Sequence, residues 1–466
     1  MEIKFAGAAG TVTGSKHIIT LWDNKRVMLD CGMYQGLGKD THKLNSEKFA
    51  EPSEINAIVL SHAHIDHSGL IPKFVKDGYE GDIYCTEATY ALCEIMLRDS
   101  AYIQEADVHY SNKRHKREGD EAYEPLYTSK HVEKALEQFV IVRENEKTKV
   151  FDGIEITFIP NGHILGSAAV YLNVDELSEQ HTLLYTADIG RYNTSLIKDP
   201  EPVPQADYVI CESTYGDRLH DRTVDADQAL LNTLLHTFKE KKGKLIIPAF
   251  SLGRTQELVF SLNKLDLHGL LPEVKIFVDS PLATDATEIT RKYSYLLNKD
   301  VQRFCKSRKD PFGFNKLSYT KEIKESKRLN ITSKPCVIIS ASGMADAGRV
   351  KHHIYHAIED PKNTILFVGY AEPNSLAGKL QRGEKKVTIF GDEKDVKAEI
   401  VYIKSLSAHA DYEEMIKYLS SMNPGKIKKL FLVHGERKVQ EHFKEELKKA
   451  GHHSIVIPSK NETFST

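Results

Sequence analysis

Cysteine is scarce in this chain, and what there is forms no framework. The six cysteines, at 31, 85, 93, 211, 305 and 336, include no C-x-x-C pair, so thiolate metal sites are not expected. Cys211 ends an apolar run, DYVIC, and reads as a small buried thiol. Any metal would therefore take nitrogen and oxygen ligands. Long apolar runs are missing as well. None approaches the roughly 20 residues of a membrane span, and the start, MEIKFAGAAGTVTGS, lacks a basic region followed by a long apolar one. The expectation is a cytoplasmic protein with no membrane partner. An excess of one charge is also absent: 63 Lys plus Arg stand against 66 Asp plus Glu, a formal net charge of −3. A body so balanced has no overall basic field for a polyanion, so nucleic-acid binding would have to be local. Mixed-sign runs such as SNKRHKREGDE (111 to 121) read as solvated loops or helix faces.

What is there points to layered α/β structure. The 466 residues imply two or three domains. Short apolar runs alternate with segments of helical spacing. In HVEKALEQF, for example, Val132, Ala135, Leu136 and Phe139 share one helix face. The runs matter most for the polar residues at their C-terminal ends. RVML leads into Asp30, NAIVL into Ser61 and His62, IEITFIP into Asn161 and His163, and TLLYTA into Asp188. DYVIC leads into Glu212, IVYIKSL into Ser407 and His409, and KLFLV into His434. Strand ends are where ligands and catalytic groups collect in such folds. In the middle of the chain the strand ends turn rich in Ser, Gly and Arg, as in AFSLGRTQEL, DSPLA and SGMADAGR. That change begins near 212 and reverses near 385. It predicts one domain inserted into another: 1–211 and 385–466 around 212–384.

The sharpest motif is SHAHIDHSG at 61 to 69. A loop that merely caps the next helix needs one polar residue, not three imidazoles and a carboxylate. In an extended segment His62 and His64 project to the same side and can share a cation, while Asp66 and His67 lie beyond the turn and can reach a second. A pair of ions needs further ligands, which His163, Asp188 and His434 can supply. Asp188 is the natural bridge, since one aspartate can offer an oxygen to each ion. Two metals about 3.5 to 4 Å apart clamp a hydroxide and an anionic oxygen together.

The set Asp30, His62-x-His64-x-Asp66-His67, His163 and Asp188 resembles the four motifs of the metallo-β-lactamase superfamily in their usual order. Glu212 in ESTYG, His409 in SAHAD and His434 in LVHGE are similar to the β-CASP branch of RNA-processing nucleases, as are the three middle segments quoted above. The branch includes the nuclease subunit of the mRNA cleavage and polyadenylation complex, and this chain is similar to its short bacterial and archaeal forms. The resemblance covers nearly the whole sequence. It implies a four-layer αββα domain with an inserted α/β (β-CASP) domain. It implies two Zn2+, with Mn2+ as the other candidate ion: one held by His62, His64, His163 and Asp188, the second by Asp66, His67, Asp188 and His434. Asp30 would lie behind the ligands and orient one of them.

The activity so implied is hydrolysis of RNA phosphodiesters by a hydroxide shared between two metals, by endonuclease or 5′-exonuclease action. Asp66, Glu212 and His409 are the expected catalytic residues. His409 would contact the scissile phosphate and protonate the leaving oxygen, and Glu212 would orient it. The bland alternatives are that Glu212 caps the helix after ESTYG and that His409 opens the helix in SAHADYEE. Ser342, Gly343 and Arg349 of SGMADAGR are the candidate phosphate contacts. The run GYAEPNSLAGKL departs from the branch's Gly-Thr and Gly-Arg pattern, leaving Ser375 and Lys379 as the candidates to take over, Lys offering a point charge where Arg gives a planar fork, so phosphate contact by this segment is left open. The implied partner is single-stranded RNA; a homodimer stays open. The alternative activity is hydrolysis of a small thioester or lactam, against which stand Glu212, His409 and the roughly 220 residues between Asp188 and His409.

Overall fold

The computed structural model describes residues 1–38, 40–115, 124–176, 179–220, 225–308, 310–369, 371, 374–403 and 407–466. The charged run at 111 to 121 falls largely outside them. The chain forms two compact units: Met1–Tyr192, Asp199–Leu219 and His409–Thr466 make the first, Asn193–Lys198 and His220–Ala408 the second.

The first unit is a sandwich of two seven-stranded sheets flanked by helices. One sheet runs Thr463–Ser465, Glu2–Phe5, His17–Thr20, Arg26–Leu29, Ala57–Val59, Asp82–Thr86, Phe139–Val142. The other runs Ile455–Val456, Lys429–Leu432, Tyr208–Cys211, Glu179–Tyr185, Ala168–Glu176, Ile154–Pro160, Thr148–Phe151. Strand alternation decides which residue enters which layer. Ile156, Phe158, Val170, Leu172 and Ile210 meet Ile3, Phe5, Val27, Leu29 and Val59 of the facing sheet. Their neighbours Ile159, Ala169, Tyr171 and Val209 face the other way, onto Met415, Tyr418, Phe443 and Leu447 of the helices Tyr412–Leu419 and Arg437–Lys449. A strand covered on both faces is apolar throughout, as the fully buried Tyr208–Cys211 (YVIC) is. Helices Ile71–Lys76, Glu87–His115 and Ser129–Leu136 serve the first sheet, giving the four-layer αββα arrangement. The helix read from HVEKALEQF buries Val132, Ala135 and Leu136. Phe139, however, opens the next strand rather than joining that face, because the chain turns at Glu137.

The second unit carries a wholly parallel six-stranded sheet in the order Leu317–Tyr319, Lys275–Val278, Cys336–Ser340, Leu245–Pro248, Thr364–Phe367, Glu399–Tyr402. Ile246, Ile338, Ile365 and Phe367 bury against Val350 and Ile354 of helix Gly348–Ala357 and Leu380 of helix Leu376–Gln381. Apart from Asn193–Lys198, the chain enters this unit past Leu219, since Glu212 stays beside strand Tyr208–Cys211. It leaves at Ala408, not near 385: Glu399–Tyr402 pairs in parallel with Thr364–Phe367, which keeps the strand before His409 in the second unit's sheet. Among the described residues no helix is long and apolar enough to cross a membrane.

Candidate metal centre

Six strands of the first unit, two from one sheet and four from the other, bring polar residues together at their C-terminal ends. Arg26–Leu29 and Ala57–Val59 run parallel and end at Asp30 and at the 61–67 loop. Glu179–Tyr185, Tyr208–Cys211 and Lys429–Leu432 run parallel and end near Asp188, Glu212 and His434. Ile154–Pro160 is antiparallel to Ala168–Glu176, which is antiparallel to Glu179–Tyr185, so His163 emerges at the same end. Two glycines allow the loops to close in. A Cβ on Gly32 would lie 1.6 Å from the Asp66 carbonyl oxygen, and one on Gly190 would lie 1.8 Å from that of Gly162. Asp30, Ala187 and His434 hold left-handed backbone with φ of 58°, 48° and 51°. Non-glycine residues adopt this conformation where the surroundings impose it, often at functional sites.

Two donor sets result. In the first, His64 Nδ1 lies 3.2 Å from both His62 Nε2 and His163 Nε2. Asp188 Oδ2 lies 3.6 and 3.5 Å from the same two nitrogens. A regular tetrahedron with zinc–nitrogen bonds of about 2.0–2.1 Å has edges of about 3.3–3.4 Å, which these four distances match closely enough for the atoms to share one ion. In the second set, Asp66 Oδ2 lies 3.4 Å from His434 Nε2, and His67 Nε2 lies 3.2 Å from Asp188 Oδ1. Asp188 thus turns one oxygen to each set, and its Oδ1 and His67 Nε2 are both buried without a hydrogen bond. Unbonded polar atoms at zero exposure are costly. Placed face to face here, they fit a cation. The donors are nitrogen and oxygen only; the cysteines stay apart, Cys211 buried in its strand.

The surrounding residues fix which ring nitrogen is bare. Asp30 accepts from His67 Nδ1 at 2.6 Å, from Tyr185 Oη at 2.6 Å and from the Ser61 amide and hydroxyl at 2.8 Å each. Since Ser61 Oγ gives its proton to Asp30, it accepts from His62 Nδ1 at 3.0 Å and leaves His62 Nε2 as a lone pair. Thr214 does the same for His434: it donates to the His434 carbonyl at 3.2 Å and accepts from Nδ1 at 3.0 Å. Burial holds His62 and His163 well below the usual histidine range and His64 near 4, so all three are neutral, the form that binds a metal. His67 goes the other way. Burial opposes its charge, but Asp188 and Asp30 together raise it well above 6.5.

His409 and Glu212 sit beside this cluster. His409 Nδ1 lies 3.2 Å from both Glu212 oxygens, and its Nε2 lies 4.0 Å from Asp188 Oδ2. Burial works against a charge on His409, yet Glu212 and Asp188 raise it to about 9. Neither bland alternative describes these residues. Helix Tyr412–Leu419 is capped by Asp411, with Glu414 completing a capping box. Glu212 instead accepts from the amides of Ile189 and Thr214 and faces the imidazole.

The phosphate candidates lie in the second unit. Ser342 is partly exposed, its hydroxyl 3.4 Å from the Ala347 carbonyl. Arg349 is committed elsewhere: it bonds buried Asp279 at 2.7 Å and the carbonyls of Thr320 and Lys321 at 3.2 and 2.6 Å. It therefore ties strand ends together, so a phosphate contact by Arg349 would share a guanidinium already bonded to Asp279. Ser375 caps helix Leu376–Gln381 through the Gly378 amide. Tyr185 and Thr214 belong to the site, and Lys16 lies buried behind the Gly32 loop, without being expected there from the sequence. Tyr185 and Thr214 stand inside quoted motifs, TLLYTA and ESTYG. Lys16 carries no pattern; its Nζ donates to the carbonyls of Gly14 at 3.0 Å and Gly32 at 2.8 Å, under the Tyr34 ring.

Comparison with known proteins places these features in a family. The metallo-beta-lactamase superfamily domain matches residues 19–199, the Beta-Casp domain 255–380, and the Zn-dependent metallo-hydrolase RNA specificity domain 393–458. The chain is 33% identical to Ribonuclease TTHA0252 of Thermus thermophilus, over 94% of this chain and 93% of that one. It is 31% identical to the RNase J-like protein of Methanocaldococcus jannaschii, over 88% and 87%. It is 29% identical to Cleavage and polyadenylation specificity factor 73 of Drosophila melanogaster, over 95% of this chain and 61% of that one. The chain belongs to the β-CASP family of metallo-β-lactamase-fold hydrolases.

Proposed function

We propose that this protein is a zinc-dependent ribonuclease that hydrolyses phosphodiester bonds of single-stranded RNA, in cytoplasmic RNA processing or decay. The observation that carries the reading is the His409–Glu212 pair, 4.0 Å from Asp188 Oδ2 at the edge of the donor cluster. Two of the relatives bear ribonuclease names, and a third is named for cleavage and polyadenylation.

His62, His64, His163 and Asp188 would hold one zinc ion, and Asp66, His67, Asp188 and His434 the second. When bound, the ions supply Lewis acidity at the phosphoryl oxygens and a source of hydroxide at neutral pH. The protein's own groups do the rest. Asp30, Ser61 and Thr214 fix the imidazole tautomers, so the donor atoms are set before substrate arrives. Glu212 holds His409 by Nδ1 and favours its charged form. Protonated His409 carries a positive charge for the scissile phosphate and a proton at Nε2 for the leaving ribose oxygen. Asp66, the partly open carboxylate of the second set, takes up the proton lost by the attacking water.

The test sets RNA beside the other class of substrate. Zinc-loaded protein is given single-stranded RNAs with a 5′-triphosphate, a 5′-monophosphate or no free end, and in parallel a small thioester. Cleavage of RNA with an inert thioester supports the reading, and the product termini separate endonuclease from 5′-exonuclease action. Thioester hydrolysis with intact RNA contradicts it.

A further inference from the structure

Phe250 is an aromatic ring held on a rigid turn and left 40% exposed. It follows strand Leu245–Pro248, at the C-terminal edge of the second unit's parallel sheet, where such folds bind ligands. The backbone on both sides is locked. Ala249 donates its amide to the Ser340 carbonyl at 3.0 Å. The Phe250 carbonyl accepts from the Thr255 amide at 3.3 Å and its hydroxyl at 2.7 Å. The Ser251 carbonyl accepts from Gln256 Nε2 at 3.0 Å, and that buried amide also binds Thr287. The ring presses against the next strand-end loop so closely that a Cβ on Gly343 would stand 2.8 and 2.9 Å from its Cε2 and Cδ2. Gly343 is thus explained by the ring and not only by a phosphate. The hydroxyl of partly exposed Ser342 lies in the same loop.

Exposure alone is ordinary for a surface side chain; what sets Phe250 apart is that its ring is pressed against Gly343 in a strand-end loop that also carries the Ser342 hydroxyl. A fixed, half-open aromatic face beside polar groups is what a nucleobase needs: the ring stacks on any base, while hydroxyls and amides meet the sugar–phosphate. We propose that Phe250 is a stacking platform for an unpaired base of single-stranded RNA. This rests on the ribonuclease reading above and adds a residue that grips a base rather than a phosphate.

The experiment uses the full chain without metal, so binding is read apart from cleavage. Single-stranded RNA carries 2-aminopurine at one position, moved nucleotide by nucleotide, and fluorescence and affinity are measured for wild type, Phe250→Leu and Phe250→Trp. Phe250→Leu keeps the apolar contact with Gly343 and loses the aromatic face. The expected result is quenching at one register in wild type and Phe250→Trp, absent in Phe250→Leu, with about 5- to 150-fold weaker RNA binding by the Leu variant. An abasic nucleotide at that register should weaken wild type to a similar degree and Phe250→Leu hardly at all. Equal affinity and quenching in wild type and Phe250→Leu would overturn the stacking role while zinc-loaded wild type still cleaves RNA. Wild type that neither binds nor cleaves RNA would overturn both proposals.

Discussion

His409 sets its Nδ1 3.2 Å from both oxygens of Glu212, a carboxylate that is itself 1% exposed and pinned by two backbone amides. The pair lies outside the two donor sets, so chemistry and metal retention should separate by mutation. His409→Ala is expected to keep the zinc content of wild type and lose about 10²–10⁴-fold in turnover of RNA. Metal analysis and single-turnover cleavage on the same preparation check this. A fully active variant contradicts the proton-donor role.

Asp188 is the residue on which both donor sets depend. Asp188→Ala removes Oδ2 from His62 and His163 and Oδ1 from His67, and at least one ion should be lost. Native mass spectrometry counts the ions. Retention of both by the variant rules out a bridging carboxylate.

Zinc binding should tighten as pH rises. His67 must present a bare Nε2 to an ion, but in the metal-free protein Asp188 and Asp30 keep it protonated well above 6.5 despite its burial. Binding therefore expels a proton, and affinity grows with pH until that group would lose the proton unaided. Asp30→Asn removes one of the two carboxylates: the pH slope should flatten, and affinity should fall by about 10–100-fold through loss of orientation. Competition with a chelating dye at pH 6 and pH 8 measures both effects.

Lys16 gives a pH effect away from the metal. It is buried and held by carbonyls, with no carboxylate bonded to its Nζ, and desolvation lowers its pKa from 10.5 to about 7. Between these values the unfolded chain binds a proton that the folded chain does not, so this residue makes stability rise with pH from about 7 to 10.5. The gain is roughly 2–5 kcal/mol at about 1.4 kcal/mol per pH unit. Lys16→Met, of similar shape and uncharged, should be the more stable protein near pH 7, its advantage shrinking toward pH 10. Denaturant melts of both proteins across that range test the sign; an advantage that does not change with pH contradicts it.

Much of the site is legible in the sequence because its residues stand just past apolar runs, as Asp30, His62, His163 and His434 do. A two-residue period and a strand end are local properties. Which loops touch is not local. That Ser61 gives its proton to Asp30 and so fixes His62, or that Tyr185 reaches the same carboxylate, depends on register between strands far apart in sequence. Arg349 shows a further non-local tie: SGMADAGR reads as an anion cradle, and its guanidinium is also drawn to buried Asp279, 70 positions away. Strand-end composition puts the return to the first unit near 385, because the Ser- and Gly-rich strand ends stop there. The pairing of Glu399–Tyr402 with Thr364–Phe367, which no composition change announces, sets it at 408.

The decisive measurement is a zinc titration of metal-stripped protein, with bound zinc and cleavage of single-stranded RNA followed together. The expected result is two ions per chain, RNA cleavage that appears only as the donor sets fill, and loss of that cleavage in Asp188→Ala. Undiminished cleavage by the stripped protein in the presence of a strong chelator, or two tightly bound ions with no cleavage of any RNA, would contradict a two-metal ribonuclease.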